Sequence, residues 1–388
     1  MKLNNFLNKT SVVQIAILLV LTMVIFLPIK LTAIAFHDIT DYPTYIDNAK
    51  DISANPVFWK HVASNPGWMM QLLAVKEVFR FSHWKAALLV QLANQGLLAL
   101  GLFLLTCRVI SKNNRWLPIA LPLAIMIAAP VFLLALKDGR LYFGYLGINS
   151  YHNPTTFALK PYAMLLFYIT SLAFLSRKMS TFQNLLCLMS LAASTLIKPN
   201  FTISLLPAAG IIFIINLLRK KKFAWKSLLF LVFLPALLIL GAEYLLTFTS
   251  SEVGVIFAPF VVMRNSSNFL LLKFILSIWF PILVLILFWK DAKNHFPLMM
   301  AWLTFFFGAA YTYFLAEGGW RIFHGNFTWS GEITSFILFV VSSLFFFQRI
   351  QLNQPDKKWG YTAILGFMPH IVCGVIYYIY CLTNNTYF

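Results

Sequence analysis

Apolar runs of about twenty residues recur along this chain, and they decide most of what it can become. A helix of that length spans the ~30 Å hydrocarbon core of a bilayer and satisfies its backbone N–H and C=O groups internally. Eleven such segments can be marked, at about 12–36, 84–106, 117–136, 155–175, 181–197, 200–218, 227–249, 269–289, 297–315, 333–347 and 360–382. The fifth and sixth are short and separated only by "KPN", which also allows a hairpin that does not fully cross. With 60% hydrophobic and 11% charged residues over 388 positions, the composition excludes an ordinary soluble domain. The expected fold class is all-α: one polytopic transmembrane bundle, with residues 1–388 forming a single integral membrane domain.

The net charge of +18 raises the question of a nucleic-acid partner, but its distribution answers it. If the N-terminus is cytoplasmic, seventeen of the thirty basic residues fall on short cytoplasmic loops, among them Arg219, Lys220, Lys221 and Lys222. Only Asp291 and Asp356 are acidic there. That is the positive-inside pattern, and it also suits anionic membrane lipids; no nucleic-acid partner is expected. The first run contains an Ala33-Ile34-Ala35 triplet that mimics a signal cleavage site, but it is longer than a signal core, so retention as a membrane helix is expected. Cys107, Cys187, Cys373 and Cys381 lie inside apolar segments with no metal-ligand spacing and read as packing residues.

The long loops fall on the opposite, outer side, at about 37–83, 137–154, 250–268 and 316–332. The first is the longest, and Trp59, Trp68, Phe79 and Trp84 suggest short helices lying in the interface. It opens with "FHDITDYPTYIDNAKDI", which holds a third of the chain's twelve acidic residues. Pro43 suits the first turn of a helix over about 43–53, which leaves Asp38 and Asp41 in the turn before it. Asp41 either supports that helix N-terminus or carries chemistry, while Asp47 and Asp51 read as solvated surface charges.

Three further stretches carry polar groups at the same side. "YLGINSYHNPTTFALKP" places Asn149, His152 and Asn153 where the fourth span begins, as caps or as substrate contacts. "STLIKPNFTISLLP" puts Lys198 between two apolar segments; a charge at membrane depth costs about 2.5–3.5 kcal/mol and needs a partner, a route to the headgroups or a task. "AEGGWRIFHGNFTWSGE" mixes Glu317, Arg321, His324 and Glu332 with aromatic rings. Aromatic faces suit sugar rings and the Arg fork suits phosphate oxygens. Arg264 and Glu243 are weaker candidates nearby. No phosphate-binding loop, dinucleotide fingerprint, hydrolase elbow or zinc motif is present, and no cofactor or metal is expected.

In these stretches the chain resembles the GT-C superfamily of polytopic membrane glycosyltransferases, in particular polyprenyl-phosphate-sugar-dependent, mannosyltransferase-like members. "DYPTYIDNAKDI" resembles the acid-plus-aromatic start of their first outer loop, "LGINSYHNPT" their Gly-x-x-Asn motif, and "TLIKPNFTISLLP" their Lys-Pro hairpin. Many members show two acids adjacent or one apart. Here Asp38 and Asp41 are three apart, a departure that favours a single catalytic carboxylate over a metal-binding pair.

The resemblance implies transfer of a sugar from a polyprenyl-phosphate donor to a glycan or lipid-linked acceptor at the extracytoplasmic face. It carries over to Asp41 as base, with Asp38 second. Lys198 and Arg321 would take the lipid phosphate, with His324, His152, Asn149, Arg264 and Glu317 around donor or acceptor. A polyprenyl phosphate leaves readily, so one base and a cationic phosphate site suffice for inverting displacement. A lipid-linked sugar flippase or a saccharide polymerase are the alternatives. A bacterial inner membrane, with the active site facing the periplasm or exterior, is the expected location.

Overall fold

A computed structural model of the protein describes residues 9–35, 39–59, 65–109, 115–248, 254–352, 357–384 and 386. Asp38 lies outside the described residues. The architecture is an all-α polytopic bundle. Its main helices are α1 (Lys9–Ala35), α2 (Tyr42–Ala54), α3 (Gly67–Phe79), α4 (His83–Val109), α5 (Leu117–Ile127), α6 (Pro154–Leu175) and α7 (Thr181–Ile197). They are followed by α8 (Asn200–Leu218), α9 (Trp225–Phe248), α10 (Leu270–Ser277), α11 (Trp279–Leu287), α12 (Phe296–Phe314), α13 (Thr328–Leu352) and α14 (Trp359–Asn384).

Among the described residues, seven helices are long and apolar enough to cross a membrane: α1, α4, α6, α8, α9, α13 and α14. They become eight if α10 and α11, which meet at 66°, form one bent span. Helices α5 and α7 are apolar but shorter. Three expected boundaries move. The run expected at 117–136 is helical only to Ile127, and Ala128 leaves the helix with ψ 141°. The run at 269–289 breaks at Ile278 (φ −120°, ψ 25°). Helix α2 extends one residue beyond each end of the expected segment.

Burial is distributed as a bilayer demands. Leu237, Leu238, Ile214, Val20 and Val24 face outward. Many polar residues of the spans, among them Gln91, Asn94, Lys160, Thr304 and Ser342, are buried. Lipid offers apolar groups no penalty and polar groups no partner, so the hydrophobic exterior and polar interior follow.

Helix α13 is the central post and is buried over most of its length, whereas α1 and α9 at the rim are largely exposed. It packs closely on α12 through small residues. A Cβ at Gly308 would collide with Thr334 Oγ1 and lie 2.6 Å from Ser330 O, and one at Gly331 would lie 2.5 Å from Thr312 Oγ1. Such glycines let helix backbones approach where hydrophobic drive is lacking.

Helix α2 and α3 are less interfacial than their sequence suggests. Trp68 is wholly buried, edge-on to Tyr42 (6.3 Å) and Tyr45 (5.8 Å), so it joins the two helices rather than anchoring in headgroups. Phe79 and Trp84 remain exposed. The two strands β1 (Val255–Phe257) and β2 (Leu315–Glu317) pair antiparallel, with Val255 opposite Glu317.

Candidate active site

The starts of α2, α6, α8 and α13 and the ends of α7, α9 and α12 meet at one face of the bundle. They enclose a cavity of about 850 Å³ lined by Asp41, Asn153, Lys198, Glu243, Arg321 and Trp329, among others. A second cavity of about 310 Å³ lies beside it, lined by Tyr142, Tyr145, His152, Met263, Phe323 and Glu332. Asp41, His324 and Trp329 line both.

Asp41 occupies the cap position of α2, yet its side chain makes no capping bond. Its own N–H donates to His152 O (3.0 Å), which docks the helix start on the segment before α6. Its carboxylate accepts a hydrogen bond from Asn153 Nδ2 (2.6 Å). Asn153 caps α6 with its other end, Oδ1 accepting from Thr156 N (2.9 Å) and from Thr155 Oγ1 (2.7 Å). The cap and substrate-side readings of Asn153 are therefore one arrangement: the cap fixes the amide, and the amide fixes the carboxylate.

Lys198 terminates α7. The residue before a proline is steered out of the α region, and Lys198 is extended (φ −166°, ψ 117°) ahead of Pro199. It does not reach for the headgroups; it is 4% exposed. Its Nζ donates to Thr155 Oγ1 (3.1 Å) and stands 4.7 Å from the Trp329 ring centre. Burial pulls its ammonium down to about 8, with Asp41 and Glu332 opposing the shift. Burial likewise pulls His152 down to about 4 against the charge of Asp41, so His152 is neutral beside the carboxylate at ordinary pH.

Arg321 Nε pairs with Glu317 at 3.0 Å, and Asn326 Nδ2 donates to the same carboxylate oxygen (2.8 Å). Asn200 Nδ2 ties this group to α13 through Asn326 O (2.8 Å) and Ser330 Oγ (2.9 Å). His324 is exposed and edge-on to Trp320 at 5.0 Å.

In the smaller cavity, Tyr142 Oη donates to Glu332 Oε2 (2.9 Å), and burial pushes the phenol well up from its usual value. The Tyr142 and His152 rings meet at 5.2 Å, and His152 and Trp329 at 5.3 Å.

Most residues singled out from sequence thus converge: Lys198, Glu317 and Arg321 on the larger cavity, His152 on the smaller, Asp41 and His324 on both. Two do not line either cavity. Asn149 is buried and donates to Ile125 O (3.0 Å) and Ala128 O (2.8 Å) where α5 ends, a structural duty. Arg264 is exposed on the short helix Val261–Ser266, its guanidinium 5.8 Å from the Phe260 ring. Asp47 and Asp51 also lie outside the lining, and Asp47 pairs with Lys50 at 2.7 Å.

Sequence reasoning passed over Lys160, wholly buried, whose Nζ donates to Ile148 O (3.0 Å) and Asn149 Oδ1 (2.6 Å). It also passed over Lys273, whose Nζ pairs with Asp138 at 2.6 Å and holds Phe143 O at 2.8 Å. A lone lysine inside an apolar run was the available signal for both. No group of three or more His, Cys, Asp or Glu that could hold a metal occurs among the described residues.

No protein-family model, no curated protein and no solved structure matches this chain.

Proposed function

We propose that this protein is a membrane glycosyltransferase that moves a sugar from a polyprenyl-phosphate donor to a glycan or lipid-linked acceptor. One observation carries the reading: a single carboxylate, Asp41, lies in the wall common to two cavities, the larger of which also holds buried Lys198. A base placed between two chambers suits a reaction that joins two substrates.

In this reading the donor occupies the larger cavity, with its phosphate near Lys198 and Arg321. The acceptor hydroxyl approaches from the smaller one. Asp41 takes the hydroxyl proton as the new C–O bond forms at the anomeric carbon. The bond from that carbon to the phosphate oxygen breaks, and the electron pair leaves with the polyprenyl phosphate, whose charge the cations stabilise. Attack opposite the leaving group inverts the anomeric centre. Eleven crossings with a cytoplasmic N-terminus belong to the same proposal, α5, α7 and α12 completing the seven clear spans and the bent pair. So does a bacterial inner membrane with the cavities facing the exterior, where the resemblance to GT-C enzymes would place them.

A lipid-linked sugar flippase is the second reading. The bent pair α10–α11 and the buried lysines of the spans favour it, since transporters place broken helices and ionisable groups at membrane depth. One experiment separates the two. Purified protein is given radiolabelled polyprenyl-phosphate hexoses and pentoses, with Asp41→Asn as control. Labelled acceptor formed by wild type and reduced at least about 100-fold in the variant supports the transferase. Donor movement across liposomes with no transfer from any donor supports the flippase.

A further inference from the structure

Helix α9 lies at the rim of the bundle. Leu237, Leu238, Leu245 and Leu246 on it are exposed on the surface that faces lipid. Its inner edge, through Leu240, Glu243, Tyr244 and Thr247, lines the larger cavity. These positions are three and four apart and share one helical face. The cavity therefore reaches the lipid-facing margin of the protein alongside α9.

Glu243 on that face is 6% exposed. Neither of its carboxyl oxygens has a hydrogen-bond partner among the described residues, and none of their ion pairs includes it. The other acids of this cavity are engaged: Asp41 by Asn153, and Glu317 by Arg321 and Asn326. A buried carboxyl group without a partner opposes folding, and an apolar side chain of similar size would be the more stable choice there. Among the described residues its side chain caps no helix and bridges no elements, so they give it no structural role.

We infer that Glu243 binds the hydroxyl groups of a lipid-linked headgroup that enters the cavity from the bilayer alongside α9. This rests on the reading above, in which that headgroup is the donor's sugar. A hydroxyl both donates and accepts, and a ring with neighbouring hydroxyls can engage both carboxyl oxygens at once. The phosphate is a poor match for a carboxyl group and has Lys198 and Arg321 in the same cavity. The location of Glu243 on the lipid-facing helix makes it a residue for headgroup selection, separate from the base.

The test uses the full-length protein in detergent. Binding of farnesyl-phosphate glucose, mannose and arabinose, and of bare farnesyl phosphate, is measured for wild type, Glu243→Leu and Glu243→Gln, together with the melting temperature without ligand. Glu243→Leu is expected to melt at or above wild type, to bind at least one sugar-bearing lipid about tenfold more weakly, and to bind bare farnesyl phosphate unchanged. Glu243→Gln, which still donates and accepts, is expected to stay within about threefold of wild type.

Unchanged binding in Glu243→Leu overturns the inference. So does a loss that Glu243→Gln shares in full, which would mean charge pairing with a cation, and so does a large drop in melting temperature, which would mean a structural role. Wild type that binds none of the sugar-bearing lipids overturns the glycosyltransferase site itself. Wild type that binds them, with Glu243→Leu unchanged, overturns only the assignment of Glu243.

Discussion

Asn153 Nδ2 stands 2.6 Å from Asp41 Oδ2, across 112 residues of sequence. The same amide closes the N-terminus of α6 through its oxygen. The carboxylate is thus oriented by a helix cap and not by its own helix, which leaves it facing two cavities.

That arrangement separates fold from chemistry at one residue. Asn153→Ser retains a capping oxygen and loses the amide donor. We expect its melting temperature to stay near wild type and its kcat to fall about tenfold or more, since a misoriented base loses rate before it loses affinity. Asn153→Ala loses the cap as well and is expected to cost about 1 kcal/mol of stability on top of the same rate loss. Steady-state transfer kinetics beside thermal unfolding check both. Equal kcat in wild type and Asn153→Ser would detach the amide from catalysis.

Lys198 gives a pH test with two opposite signs. Burial holds its folded value near 8, against an ordinary lysine near 10.4. Below about 8 the native and unfolded chains both carry the proton, and the full cost of the buried charge is present. Between about 8 and 10.4 the unfolded chain binds more protons, so the ligand-free protein gains stability as pH rises. A phosphate ligand needs the ammonium, so the apparent Kd for farnesyl phosphate should weaken as pH rises above about 8. Melting temperature and Kd measured between pH 7 and 10 are expected to show both trends, and Lys198→Met to abolish the stability rise and flatten the Kd profile.

Much of this was legible in the sequence where one local rule dominates. Apolar length marks the helices, Pro43 and Pro154 mark helix starts, and Pro199 turns Lys198 out of its helix; all depend on neighbours in the chain. The bend at Ile278 was only half announced: Pro281, three residues on, has no N–H for the carbonyl of Ser277, but Pro161 and Pro207 lie inside unbroken helices, so a proline alone does not mark a 66° break. The burial of Trp68 was hidden for a different reason: an interfacial anchor and a helix-to-helix wedge have the same composition. Lys160 and Lys273 look alike in sequence, yet one serves the carbonyl of Ile148 and the other pairs with Asp138, choices set by tertiary packing. The two cavities and their common wall arise from many separate chain segments, and no single motif encodes them.

Gly67 tests whether packing remote from the chemistry sets the position of Lys198. A Cβ there would lie 2.7 Å from Ile197 N and 2.8 Å from Leu196 C, backbone atoms that cannot swing aside. Helix α3 must therefore retreat from the end of α7, directly before Lys198. Gly67→Ala is expected to cost about 1–3 kcal/mol of stability and to weaken farnesyl phosphate binding several-fold. Unfolding and binding measured on the same preparation decide it: lost stability with unchanged affinity would show that the lysine is placed by other contacts.

The two cavities predict a separation of binding from transfer. Met263 is buried and lines only the smaller one. Met263→Trp adds bulk to a space of about 310 Å³ without altering charge or touching the larger cavity's lining. If the acceptor enters there, the variant should bind polyprenyl-phosphate donors as wild type does while its transfer falls at least about tenfold, with the loss concentrated in the acceptor's KM as long as some access remains. Over-packing is expected to cost about 1–3 kcal/mol, so the comparison is made below the melting transition of the variant. Donor affinity and transfer falling together would place both substrates in one chamber, and Asp41 would then face the donor alone.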